Sequence, residues 1–190
     1  RSGQASDRDI LDKWILSRLG NVCTAVTKSL GSYDVTTASR ALEDFAEDLS
    51  NWYIRRSRRR FQTPRVDAQK LSAQKTLFEV LKSAAILLAP FTPFLAEFIW
   101  QGLKSLDPKS IVPLSVHLEK WLAPRSRGEV GPVKLAGRDT SVEKIMTHAR
   151  SLVALGLAER ARVGIKVRQP LGLLNVSSAD YGVIEPVLDV

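Results

Sequence analysis

Between positions 11 and 30 the apolar residues Leu11, Ile15, Leu19, Val22, Val26 and Leu30 recur at steps of three or four. That is the period of one face of an α-helix, and it does not fit the alternation of a strand. Ile10 and Trp14 widen the stripe. Ser6, followed by Asp7 and Asp9, offers an N-cap with acids in the first turn, and Gly31 offers a left-handed C-terminal stop, so the spacing predicts a helix over roughly 7–30. A second helix is expected from Asp34 or Thr36 to about Arg60, with Leu42, Phe45, Leu49, Trp52 and Tyr53 on its apolar face and Pro64 beyond its end. A third is expected from about Asp67 to Ala89, with Leu71, Phe78, Leu81, Ala85 and Leu88 on one side, before Pro90 breaks it. Thr92 then caps a fourth, in which Pro93 takes the first position, where its missing N–H costs nothing. That helix carries Phe94, Leu95, Phe98, Ile99 and Trp100. Short links between amphipathic helices imply antiparallel neighbours. The expected fold is mainly α, an antiparallel helical bundle over residues 1–104, with Trp14, Phe45, Phe78 and Phe98 in its core.

The pattern changes after Leu103. Residues 105–138 hold Pro108, Pro113, Pro124 and Pro132 among glycines and charges, and read as an irregular connection with a short extended piece near Ser115–Leu118. Helical periodicity returns at Thr140, where Thr140 and Glu143 match a capping box, and continues through Val142, Ile145, Met146, Ala149, Leu152 and Val153 to about Arg162. Ile165–Arg168 and Leu171–Val176 look like short strands, so residues 139–190 are expected to form a small C-terminal α/β extension, truncated of further strands. The beginning at Arg1 and the stop after Asp189-Val190 both read as cuts in a longer protein.

Composition limits the function classes. Lys and Arg number 28 against 20 Asp and Glu, a net charge of +8. The single cysteine, Cys23, excludes a disulfide within the chain and any Cys-cluster zinc site, and suits a reducing compartment. The longest uncharged stretch, Ser83–Ala96, is too short to span a bilayer and contains Pro90 and Pro93, so no membrane span is expected, nor does a signal peptide open the chain. His117 and His148 are isolated from other metal ligands, Gly128 and Gly131 lack phosphate-loop spacing, and no nucleophile elbow occurs. Cys23 lies among core positions and reads as an inert thiol. No catalytic residue is expected in this chain.

The most informative stretch is Asn51-Trp52-Tyr53-Ile54-Arg55-Arg56-Ser57-Arg58-Arg59-Arg60-Phe61, with five arginines in six positions beside three aromatics. Such a run repels itself, and a phosphate backbone would relieve the repulsion while releasing counterions. Arginine also grips phosphate with two donors at once and stacks on bases. The alternative is a solvated basic helix end favoured by the helix dipole. At about 100° per residue, Arg56, with Arg60 near it, falls toward the Phe45–Leu49 face, so Arg56 is expected to be a buried or interdomain structural arginine, with Trp52 and Tyr53 as core or shelf residues. Arg55, Arg58 and Arg59 are expected to point outward. A second basic feature runs from Arg160 to Pro170, where a strand would put Lys166 and Arg168 on one face.

The motif from Asn51 to Phe61 resembles the Trp-Tyr-Ile-Arg-Arg motif in the anticodon-binding domain of isoleucyl-tRNA synthetases. Asp12-Lys13-Trp14-Ile15-Leu16-Ser17-Arg18-Leu19 resembles the opening helix of that domain. Leu88-Ala89-Pro90-Phe91-Thr92-Pro93-Phe94-Leu95-Ala96-Glu97 resembles a segment shared by several class I synthetases, and Ser115–Trp121 and Lys166-Val167-Arg168-Gln169-Pro170-Leu171 resemble segments that follow in the isoleucine enzymes. The family often has an aromatic where Gln62 stands here. The resemblance implies a non-catalytic, tRNA-binding piece of a cytoplasmic isoleucine–tRNA ligase. Its partners would be the anticodon stem-loop of an isoleucine-accepting tRNA and the catalytic domain of the same parent chain. It also implies that this piece carries no cofactor, whereas the parent uses ATP and Mg. Arg55, Arg58, Arg59 and Arg60 become candidate tRNA contacts, with Lys166 and Arg168 as further ones. The alternatives are an interdomain docking module, or the same domain of a valyl- or leucyl-enzyme.

Overall fold

A computed structural model describes residues 8–109, 111, 113–122 and 139–173. The elements are α1 (Ile10–Gly31), α2 (Val35–Glu47), a π-helical segment (Asp48–Ile54), α3 (Arg58–Gln62), α4 (Ala68–Leu88), α5 (Pro93–Leu106), a 3-10 turn (Val116–Leu118) and α6 (Thr140–Arg162). They fall into two compact units, 1–139 and 140–190.

In the first unit α1 is the central rod. It packs against α2 and the π segment on one side and against α4 on another, and α4 in turn packs against α5 and α3. Its buried set, Leu11, Trp14, Ile15, Leu16, Leu19, Val22, Cys23 and Val26, reaches most of the way round the helix, as a helix enclosed by neighbours requires. Asp9 caps it by accepting from the Leu11 N–H at 2.8 Å; Ser6 lies outside the described residues. At the other end Asp34 N–H bonds to Ser29 O at 2.8 Å and Tyr33 N–H to Leu30 O at 3.0 Å. The left-handed residue that this closure needs is Tyr33, at φ 59°, and not Gly31, which remains helical.

Two expectations about the core are corrected. On α4 the buried positions are Ala73, Thr76, Val80 and Ser83–Leu87, while Leu71 is exposed and Phe78 half-buried; small side chains let α4 approach its neighbours closely. On α5, Ala96, Trp100 and Leu103 face inward, so Phe98, expected in the core, stands 78% exposed one half-turn away, beside Phe94 at 90%. Thr92 precedes α5 without a side-chain cap bond, and Pro93 begins the helix.

Residues 113–122 run back along this bundle. Trp100 Nε1 and Lys104 Nζ donate to Pro113 O, at 3.2 and 3.3 Å. Glu97 Oε2 accepts from Ser115 Oγ at 2.8 Å and from Val116 N–H at 3.0 Å. Trp121 Nε1 donates to Thr27 Oγ1 at 3.0 Å, and Leu122 is buried beside Cys23.

In the second unit, α6 is closed by Gly164, two residues past its end at φ 72°, with Ile165 N–H bonding Arg160 O at 2.9 Å and Gly164 N–H bonding Ala161 O at 3.2 Å. This helix stop turns the chain where a strand was expected. Residues 165–169 form a turn, and no strand occurs among the described residues. The rest of the expected strand Leu171–Val176, from 174 on, lies outside them. Among the described residues no helix is long and apolar enough to cross a membrane.

Candidate nucleic-acid interface

The helical run that starts at Val35 does not end where α2 does. It passes through the π segment, continues over Arg55 and Arg56, breaks at Ser57 (φ −78°, ψ 4°) and resumes as α3. A π-helix advances by a smaller angle per residue than an α-helix, so the face presented after residue 54 differs from the one that regular α spacing predicts. The outcome separates two arginines that regular spacing puts near one face. Arg56, expected to be a buried or interdomain arginine, is exposed, so it is not a core residue of this bundle, and the buried position of that turn is Ser57. Arg60, placed near the apolar face by its spacing and made a candidate tRNA contact by the resemblance, faces inward, its side chain 13% exposed.

Arg55, Arg56, Arg58 and Arg59 are all exposed. None makes an ion pair among the described residues, where the pairs are Arg8–Glu79, Arg18–Asp48, Arg60 with Asp9 and Asp12, and Arg162–Glu159. Arg65, in the loop after α3, is exposed as well. Sequence reasoning passed over it because it stands apart from the run. Four adjacent guanidinium groups with no carboxylate partner among the described residues are a cationic edge whose field favours a polyanion.

Behind that edge lies a buried polar cluster. Asp12, 0% exposed on α1, receives Arg60 Nη1 at 3.0 Å on Oδ1 and Arg60 Nη2 at 2.7 Å on Oδ2. Tyr53 Oη donates to Oδ1 at 2.8 Å, and Ser72 Oγ donates to Oδ2 at 3.0 Å. Arg60 Nη2 also donates to Gln69 O at 3.3 Å, and Asp9 lies 3.7 Å from Nη1. Burial, then the charge and hydrogen bond of Asp12, push the Tyr53 phenol well above its ordinary range. Burial pulls the Arg60 guanidinium down, but the hydrogen bonds and charge of Asp12 more than offset it and raise its value. Tyr53 is 0% exposed, a core residue as expected, and meets Phe61 edge-on with centroids 6.3 Å apart; Trp52 is half-buried. Sequence reasoning missed Asp12. The available signal was an acid on the apolar stripe of α1, within a turn of Ile15.

In the second unit Lys166 and Arg168 are both exposed on the turn after α6. One guanidinium nitrogen of Arg160, Nη2, donates to Lys166 O and Val167 O, each at 3.2 Å, and to Gln169 O. The two cations therefore sit on a loop gathered round a third, not on the face of a strand.

Among the described residues no three His, Cys, Asp or Glu side chains converge as metal ligands. Burial pushes the Cys23 thiol up, away from nucleophilic use.

A family model of the anticodon-binding domain of tRNA ligases matches residues 12–176. The isoleucine–tRNA ligase of Streptomyces coelicolor is 40% identical over 184 residues, 96% of this chain and 16% of that protein. The isoleucine–tRNA ligase of Thermus thermophilus is 42% identical over 173 residues, 90% of this chain and 16% of that protein. The one from Clostridium novyi is 39% identical over 171 residues, 90% of this chain and 15% of that protein. The chain thus spans about 16% of the length of the curated relatives it matches.

Proposed function

The chain belongs to the anticodon-binding domains of tRNA ligases, and on that premise we propose that it holds the anticodon arm of an isoleucine-accepting tRNA for an isoleucine–tRNA ligase. The observation that carries this reading is the edge formed by Arg55, Arg56, Arg58 and Arg59, exposed and without ion pairs among the described residues. Phosphate contacts from these side chains supply affinity and register, and unstacked anticodon bases supply the sequence to be read. Lys166 and Arg168 are proposed as a second group of contacts. Arg60 is committed to Asp12 and does not serve as one. The catalytic domain of the same ligase chain is the second partner, and the single buried cysteine suits work in the cytoplasm. ATP and its Mg ion belong to the aminoacylation reaction of the whole ligase.

A salt titration tests the proposal. Binding of a labelled anticodon stem-loop is followed by fluorescence anisotropy over a range of salt concentrations. Replacing Arg55, Arg58 and Arg59 by Ala should flatten the plot of log K against log salt by about 0.7–0.9 for each phosphate no longer neutralised, roughly 2–3 in all. An unchanged slope would remove these residues from the interface. Equal affinity for a hairpin with a mismatched anticodon would leave the backbone grip standing and remove the isoleucine assignment.

A further inference from the structure

α3 presents a mechanical problem. It is five residues long, none of its side chains is buried, and Ser57 at its start makes no side-chain cap bond. A helix this short is not stable by itself, and its apolar docking reduces to half-buried Phe61 against Tyr53. Yet it carries Arg58 and Arg59, side by side and facing solvent. Something other than hydrophobic burial must set its orientation.

The Asp12 cluster meets that requirement. Its carboxylate accepts four hydrogen bonds, two on each oxygen: Tyr53 and Arg60 on Oδ1, and Arg60 and Ser72 on Oδ2. The donors come from the π segment, α3 and α4, and the acceptor from α1. All four elements are therefore tied at one point. A guanidinium bound through both outer nitrogens fixes rotation as well as distance, because the two planes must be parallel. Arg60 is one residue from Arg59 and two from Arg58, so anchoring α3 at Arg60 sets the direction in which both of their side chains leave the backbone.

Resting on the RNA-binding reading above, we propose that Asp12 and Arg60 are a positioning pair. They touch no RNA and orient Arg58 and Arg59 so that both meet phosphate together. The cation run thus divides its labour, one arginine turned inward to aim two outward.

The test uses Asp12→Asn and Arg60→Lys, each alone and each combined with Arg58→Ala/Arg59→Ala. Asp12→Asn raises the net charge by one. A general charge effect therefore tightens RNA binding, whereas loss of positioning weakens it. Arg60→Lys keeps the buried charge and loses the two-point grip, and it carries the test if Asp12→Asn fails to fold. We expect either variant to weaken stem-loop binding about tenfold or more at moderate salt and to lower the salt slope toward that of Arg58→Ala/Arg59→Ala. Neither should weaken binding further in the background that lacks Arg58 and Arg59. A pair that served stability alone would lower the unfolding midpoint and leave the salt slope of the folded protein unchanged. That result overturns the proposal, as does a loss that adds fully to Arg58→Ala/Arg59→Ala. If the unaltered chain binds no stem-loop at all, the RNA-binding reading itself falls, and the positioning role falls with it.

Discussion

The most direct measure of how α5 sits in the bundle compares two phenylalanines that look alike in the sequence. Phe45 is 3% exposed and Phe98 is 78% exposed. A phenylalanine side chain offers about 200 Å² for burial. Roughly a fifth of that is covered at Phe98, about 45 Å², which at ~25 cal/mol per Å² is worth about 1 kcal/mol. Replacing Phe by Ala inside a helix returns roughly 0.5 kcal/mol of intrinsic propensity. The net cost of Phe98→Ala is therefore expected near 0.5 kcal/mol, and that of Phe94→Ala, at 90% exposure, near zero. Phe45→Ala removes a fully packed ring and should cost about 3–5 kcal/mol. For a chain of this size each kcal/mol moves the midpoint by about 2–4 °C, so Phe45→Ala should lower Tm by about 6–20 °C and Phe98→Ala by about 1–2 °C. Urea unfolding followed by far-UV circular dichroism, with a thermal melt alongside, reads both. A cost above about 2 kcal/mol for Phe98→Ala would mean that the ring is packed in solution, and that the inward face of α5 is not Ala96, Trp100 and Leu103.

Two further outcomes are expected. Gln101, together with Ser115 and the Val116 N–H, hydrogen-bonds Glu97 and holds its carboxyl below the ordinary value of 4.5. A group depressed in this way stabilises the fold above its unfolded value, and that contribution is lost as pH falls through the lower folded value. Stability of the wild type should thus fall more steeply below pH 4.5 than that of Glu97→Gln; superimposable pH profiles of the urea midpoint would disprove the link. Gly164 takes φ 72° with nothing within 4 Å of an added Cβ. Gly164→Ala should therefore carry only the backbone strain, about 1 kcal/mol, detectable as reduced hydrogen-exchange protection in the last turn of α6 and absent from α1.

The sequence was most readable where one physical rule acted alone. The period of α1, the break at Pro90 and the start at Pro93 follow from side-chain spacing and from the ring of proline, and the structure has them. It was least readable where a rule presumes what is packed against what. Leu71, Phe78 and Phe98 were expected inside because they are large and apolar, but α4 turns Ala73, Thr76 and Val80 to its neighbours, and α5 turns Ala96, Trp100 and Leu103. Size says nothing about which face a neighbour takes. At Tyr33, three-residue connectivity to α2 places the left-handed turn two positions beyond the available glycine. At 165–168 the alternation of apolar and charged residues suited a strand, yet a glycine stop and the reach of Arg160 to three carbonyls made a turn instead.

The arginine run shows how one local departure changes a site. An α-helix advances 100° per residue, while a π-helix, with its i→i+5 bonds and about 4.4 residues per turn, advances roughly 80°. Over the seven residues Asp48–Ile54 the lag is therefore about 130°. Uniform α spacing from Phe45 puts Arg56 about 20° from the core direction and Ser57 about 120° away. With the lag, Ser57 turns onto the core direction and Arg56 turns away from it, and those are the burial states observed. A small hydroxyl then takes the inward position in place of a guanidinium, and Arg56 joins Arg55 on the cationic edge. Restart of the helix after Ser57 brings Arg60 round to Asp12, where both outer nitrogens bond the carboxylate and that pairing offsets the burial. The π segment is what makes the edge: without it the same five arginines would put Arg56 into the core and remove a cation from the surface proposed to meet RNA.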